Sequence, residues 1–114
     1  MPRDCYLFCG RQQVDVRLAL DKIARLLSVR KLMLEGGGTL NGALLDAGLI
    51  DQISQVILPV ADGGRGIATL LDIPGEPPRR AAASLRLIRH RALTGGAPWF
   101  RWQVLKRSRA KSSR

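Results

Sequence analysis

"KLMLEGGGTLNGALLDAGLID", residues 31–51, decides the fold. It passes from an apolar, β-prone segment through three glycines into a helical pattern. "RKLMLE" (30–35) predicts a buried strand. Leu40, Leu44 and Ala47 recur at helical steps, Thr39 is placed to cap that helix, and Gly48 suits the position just past its end. In open α/β sheets, ligands bind beyond the carboxyl ends of strands, near the next helix N-terminus. Gly36, Gly37 and Gly38 occupy such a point, where backbone without Cβ atoms can approach a ligand. The helix that follows offers unpaired N–H groups and a positive dipole end to a phosphate, and Thr39 and Asn41 can add hydrogen bonds. Glu35 would repel a phosphate; its carboxylate suits a hydrogen-bond-donating ligand, such as pyrimidine or pterin N–H groups. The stretch is neither GxGxxG nor a P-loop. The residues alone therefore leave two readings open: a phosphate site, or a tight β-to-α turn with Glu35 as a solvated strand end.

Working outward, "CYLFC" (5–9) predicts a buried strand bounded by Gly10. Asp15 is a good N-cap for an amphipathic helix in which Val16, Leu20, Ile23 and Leu27 share one face, ending near Ser28. "ISQVILPV" (53–60) predicts a third strand that Pro59 helps to end. "DGGRG" (62–66) is a loop, and "IPGEPPRR" (73–80) is a proline-rich surface loop. "SLRLIRHRAL" (84–93) and "WFRWQVLK" (99–106), joined by "TGGAP", predict a hairpin with Phe100, Trp102 and Val104 on one face and Arg101 and Gln103 on the other. The order β-α-β-α-β then β-β predicts a mostly parallel α/β sheet flanked by helices, with an antiparallel hairpin at its end.

With 114 residues the chain has room for one small domain. The N-terminus has no apolar core of the kind secretory signals need, and no run is long enough to span a bilayer, so no membrane association is expected and cytoplasm is the expected location. The net charge of +10 invites a nucleic-acid reading. Five of the cations (Lys106, Arg107, Arg109, Lys111 and Arg114) fall in the last nine residues, however, and 107–114 reads as a disordered basic tail. The others are scattered, apart from Arg79-Arg80 and the Arg86, Arg89, Arg91 group, and no zinc-finger, helix-turn-helix or RNP pattern accompanies them. No specific nucleic-acid partner is expected. Cys5 and Cys9 on one strand would lie about 13 Å apart, too far for a disulfide, and with one distant histidine they make no metal site. They read as reduced thiols. His90 reads as a surface or partly packed histidine, Arg65 as a loop cation, Asp51 as a turn former, and Trp99 and Trp102 as sheet-packing or interface residues.

The stretch "VRKLMLEGGGTLNGALLDAGLIDQISQVILPVADGG", with the closing "GGAPWFRWQV", closely resembles the C-terminal reductase domain of bacterial bifunctional riboflavin-biosynthesis proteins, the RibD C-terminal family. The match covers about residues 5–106. The resemblance implies a three-layer, dihydrofolate-reductase-like mixed sheet and an NADPH-dependent 5-amino-6-(5-phosphoribosylamino)uracil reductase. The reaction is hydride transfer from the nicotinamide to an opened, imine-like ribose carbon. By position, Glu35 would contact the substrate, and Gly37, Gly38, Thr39, Leu40, Asn41, Gly42 and Ala43 would form the NADPH loop. The family's domain is longer, and the match falls in its C-terminal half. The resemblance thus implies a partial domain over 1–106 that lacks other cofactor contacts and much of the substrate phosphate pocket. A homo-oligomer or a complementing chain would complete it. The alternatives are an inactive half-domain serving as an oligomerisation or interaction module, and a generic dihydrofolate-reductase-like oxidoreductase.

Overall fold

The computed structural model describes residues 6–61, 63, 70–71 and 82–106. Cys5, Arg65, the proline-rich loop at 73–80 with Arg79 and Arg80, and the tail at 107–114 lie outside the described residues.

Helix α1 (Val16–Leu27) forms as its pattern predicts. Asp15 is extended, and its carboxylate accepts the Leu18 N–H at 3.0 Å, satisfying one of the orphan donors of the first turn. Ser28 ends the helix in a left-handed conformation at φ 54°. Val16, Leu20 and Ile23 are half-buried, whereas Leu27 is exposed.

Helix α2 (Gly38–Asp46) starts one residue earlier than a Thr39 cap would allow. Gly37 is the N-cap: at φ 52° and ψ 147° it turns the chain into the helix, and its carbonyl accepts the Asn41 N–H at 3.0 Å. Thr39 therefore lies inside the first turn, exposed, and no side chain caps the helix. Leu44 points inward, but Leu40 is 46% exposed. At the other end the Gly48 N–H bonds the Leu45 carbonyl and the Leu49 N–H bonds the Leu44 carbonyl, both at 2.9 Å. With Gly48 at φ 71°, this is a Schellman ending.

The strands are β1 (Gln52–Val56), β2 (Leu85–Ala92) and β3 (Pro98–Val104), in the order β1-β3-β2. The predicted hairpin is β2–β3. The mostly parallel sheet is not found among the described residues, where every pairing is antiparallel. The predicted strands at 5–9 and 30–35 also differ: residues 6–9 and 30–35 pair with no described strand. A strand exists only against a neighbour that takes its hydrogen bonds, and none of the described strands adjoins these segments. The third strand stops at Val56, short of Pro59.

Two indoles fasten β1 to β3. Trp99 Nε1 donates to Ser54 Oγ at 2.8 Å, and Trp102 Nε1 donates to Gln55 Oε1 at 3.1 Å. Phe100 stacks on Trp102 with ring centroids 5.7 Å apart. Lys106 ties the α2–β1 turn to the end of β3, donating to the carbonyls of Gly48 and Ile50 at 2.8 and 2.9 Å. The packed centre is small: Leu44 and Val104 are the buried apolar residues among those described. Phe8 and Met33, by contrast, are 78% and 79% exposed. Covering a side chain of that size is worth about 1.5–3 kcal/mol, so both extended segments carry apolar surface that still lacks a cover.

Candidate functional site

A cleft of about 1030 Å³ opens beside α2 and β1. The segment from Val29 to Glu35 and the start of β1, with Gln52 and Ser54, both line it. Leu20 and Ile23 of α1 and Asn41 and Leu44 of α2 close it. Arg30, Lys31 and Arg101 bring positive charge to its lining, and Glu35 and Asp51 bring negative charge. The sequence order explains the shape. The segment at 29–35, α2 and β1 are consecutive, so a strand-like stretch, a helix and a strand wrap around one space.

The glycine turn stands where the segment at 29–35 ends. Gly37 has positive φ, and a Cβ built on it would meet no atom within 4 Å, so the backbone there is open to approach. Helix geometry leaves the first N–H groups of α2 without intrahelical acceptors, and no side chain takes them. Of the residues expected to bind cofactor, Gly37 and Gly38 form the turn, Thr39 and Leu40 are exposed in the first helical turn, and Ala43 is exposed further along. Gly42 is buried. Asn41 is engaged elsewhere: its Nδ2 donates to the Leu70 carbonyl at 3.1 Å, while its buried Oδ1 has no partner. Its side-chain amide nitrogen thus ties α2 to the chain at Leu70. Glu35 is exposed on the cleft wall.

Asp51 is not in a turn: it stands just before β1, its carbonyl accepting the Val104 N–H at 2.9 Å and its carboxylate 3.4 Å from Lys106. His90 is exposed on β2, opposite Phe100, and Cys9 is a free, half-buried thiol.

Strict alternation would put Arg86 on the opposite sheet face from Arg89 and Arg91. A bulge between Leu87 and Arg89 resets the register, so that Arg86 faces Gln103, Arg89 faces Arg101 and Arg91 faces Trp99. Directly opposed residues share a face. Four arginines therefore lie on one side of the sheet. Arg91 and Arg101 both lie against the Trp99 ring, 5.4 and 5.3 Å from its centroid. No sequence signal marks that bulge.

A family model, the RibD C-terminal domain, matches residues 3–97. This chain belongs to the RibD C-terminal domain family. Among curated relatives of this RibD C-terminal chain, a 2,5-diamino-6-ribosylamino-4(3H)-pyrimidinone 5′-phosphate reductase of Methanothermobacter thermautotrophicus is 39% identical over 87 residues, 76% of this chain and 39% of the relative. The protein of the same name from Aquifex aeolicus is 29% identical over 100 residues, 88% of this chain and 44% of the relative. The chain thus spans about two-fifths of the length of these relatives. A solved pyrimidine reductase-like protein from Corynebacterium diphtheriae superposes with a TM-score of 0.71 at 18% identity, over 84% of this chain and 37% of that one. That likeness shows a shared α/β fold of the dihydrofolate-reductase-like kind. No helix among the described residues is long and apolar enough to cross a membrane.

Proposed function

We propose that this chain carries part of the active site of an NADPH-dependent reductase of riboflavin biosynthesis, acting on a ribosylaminopyrimidine 5′-phosphate in the cytoplasm. The observation that carries the reading is the uncapped start of α2 at Gly37, placed at the end of the cleft wall that bears Glu35. The residues present fit the cofactor's phosphates. Open backbone at Gly37, free N–H groups at the head of α2 and the exposed Thr39 hydroxyl are donors, and no acidic residue lies in the first helical turn. Gly37, Gly38, Thr39 and Leu40 would hold those phosphates through backbone N–H groups. Asn41 would contribute through its backbone, and Gly42 and Ala43 through the helical path they set. NADPH, when bound, supplies the hydride; this chain's residues bind, orient and exclude water.

Glu35 bears on the choice of substrate. An ionised carboxylate only accepts hydrogen bonds. A 2-amino-4(3H)-pyrimidinone presents two adjacent donors, the exocyclic amine and the neighbouring ring N–H, which a carboxylate can receive together. A uracil replaces that amine with a carbonyl, which would repel Glu35. This favours the diaminopyrimidinone named for the relatives over the aminouracil form that the bacterial resemblance implies.

The test is a thermal melt with and without NADPH, alongside calorimetric titration. A ligand at about 100 times its Kd adds about 2.7 kcal/mol, which raises the midpoint of a domain this small by roughly ten to twenty degrees. A melt that does not move, together with no heat of binding, would overturn the cofactor reading.

A further inference from the structure

We propose that the arginine-bearing face of the β1-β3-β2 sheet binds single-stranded nucleic acid through its phosphates and bases, without reading sequence. The inference goes beyond the cofactor reading and does not depend on it, because the four arginines stand on the sheet whereas the glycine turn opens α2. Sequence-independent binding needs no dedicated motif, only a cationic surface and planar groups on which bases stack.

The charge on this face is unbalanced. Arg86, Arg89 and Arg91 of β2 and Arg101 of β3 share it, and Gln103, Gln52 and Ser54 beside them are neutral. Among the described residues the ion pairs join Arg25 to Asp21 and Lys106 to Asp51, and neither pair stands on the strands. Arg89 lies directly opposite Arg101, a like-charge pair that destabilises the sheet as it stands. A phosphate between them replaces that repulsion with two charge-assisted contacts. The guanidinium groups are oriented by partners that leave their charge intact. Arg86 donates to the Gln103 side-chain oxygen. Arg91 and Arg101 lie against the Trp99 ring, itself fixed by its bond to Ser54. Planar groups already held in place lose less freedom when a ligand arrives, and the guanidinium fork matches two phosphate oxygens.

Spacing and shape select the polymer. Successive positions on one face of a strand are about 6.6–6.8 Å apart. Arg86, Arg89 and Arg91 follow that step, because they face every second residue of β3: Gln103, Arg101 and Trp99. The bulge after Leu87 creates the row by re-aiming the side chains beyond it. A single strand drawn out to about twice the 3.4 Å axial spacing of phosphates along one duplex strand matches the step. Its bases are also free to stack on guanidinium planes and on an indole, whereas those of a duplex are already stacked on one another. Every residue of β2 is exposed, so the row is open to such a strand.

The probe is a short fluorescein-labelled oligothymidylate, titrated with the full 114-residue chain and read by anisotropy over a series of salt concentrations. On a single strand each neutralised phosphate contributes about −0.7 to the slope of log K against log salt. Arg89→Gln combined with Arg91→Gln should therefore make the slope shallower by about 1.4, in a protein that still melts cooperatively because both positions are exposed. The intact strand should bind at least about fivefold tighter than an abasic strand of the same length, the smallest effect expected of one stacked base. Arg89→Lys combined with Arg91→Lys keeps the charge, so it should preserve the slope and narrow that margin. A slope unchanged by the glutamine pair but flattened by glutamine at Arg107, Arg109, Lys111 and Arg114 would overturn the inference and assign the binding to the chain's last residues. Equal affinity for the intact and abasic strands would overturn it too, as would tighter binding to vesicles containing phosphatidylserine than to the oligonucleotide.

Discussion

Two neighbouring glycines, given the same substitution, should respond in opposite directions. Gly37 has φ 52° and ψ 147°, and a Cβ there would touch nothing within 4 Å. Any penalty for Gly37→Ala is therefore conformational rather than steric crowding by neighbours. Backbone in regions essentially left to glycine costs about 1–3 kcal/mol for another residue. Gly36 has no positive φ, and its added Cβ would meet only the Leu40 Cδ2, at an ordinary 3.6 Å. Gly36→Ala should stabilise by about 0.4–1 kcal/mol, because alanine narrows the unfolded ensemble. Both substitutions act on the opening of α2, so the assay is native-state amide exchange at Leu44, Leu45 and Asp46. At a factor of ten per 1.4 kcal/mol, Gly37→Ala should speed exchange about 5- to 150-fold, and Gly36→Ala should slow it about two- to fivefold. Equal effects from the two variants would refute the reasoning. So would an unchanged rate in Gly37→Ala, since either would mean the turn does not need its positive φ. If the glycine turn also holds the cofactor, Gly37→Ala should lower NADPH affinity in calorimetry even where α2 remains formed.

Three further outcomes are expected. Asp15→Ala removes the acceptor of the Leu18 N–H and should cost about 1 kcal/mol, read as faster exchange in the first turn of α1. Leu44→Ala empties one of the few buried apolar positions and should cost at least about 2 kcal/mol in urea unfolding, at the lower end of the range because so small a core can collapse around the gap. Lys106→Met releases the carbonyls of Gly48 and Ile50; since Lys106 is half-exposed, the loss should stay at or below about 1 kcal/mol and appear as faster exchange at Gly48 and Leu49.

Much of this chain was legible because its signals are local. Asp15 bonds a donor three residues on, the Gly48 and Leu49 N–H groups close α2 on carbonyls three and five residues back, and the β2–β3 hairpin turns within a few residues. Each rests on contacts within a turn or two, where side-chain type and backbone preference act directly. The misplaced cap has the same scale. Thr39 is the better capping residue by chemistry, but the positive φ at Gly37 bends the chain earlier and takes the position. Of the site, the glycine turn and Glu35 were visible as a pattern. The diversion of the Asn41 amide to Leu70 was not, because that partner lies 29 residues away.

What the amino-acid order determined alone was the identity of the elements: two helices, a hairpin, a glycine turn before α2 and a family signature across them. Tertiary structure decided which edges meet. The β1 strand joins β3, which offers it a matching ladder and, through Trp99 and Trp102, two indole donors for Ser54 and Gln55. The bulge in β2 gathers three arginines onto the face of Arg101, because one residue of slippage reverses every side chain beyond it. Segment 30–35 is strand-like in composition yet pairs with no described residue, because composition sets what a segment can bury, and only a neighbouring backbone makes it a strand.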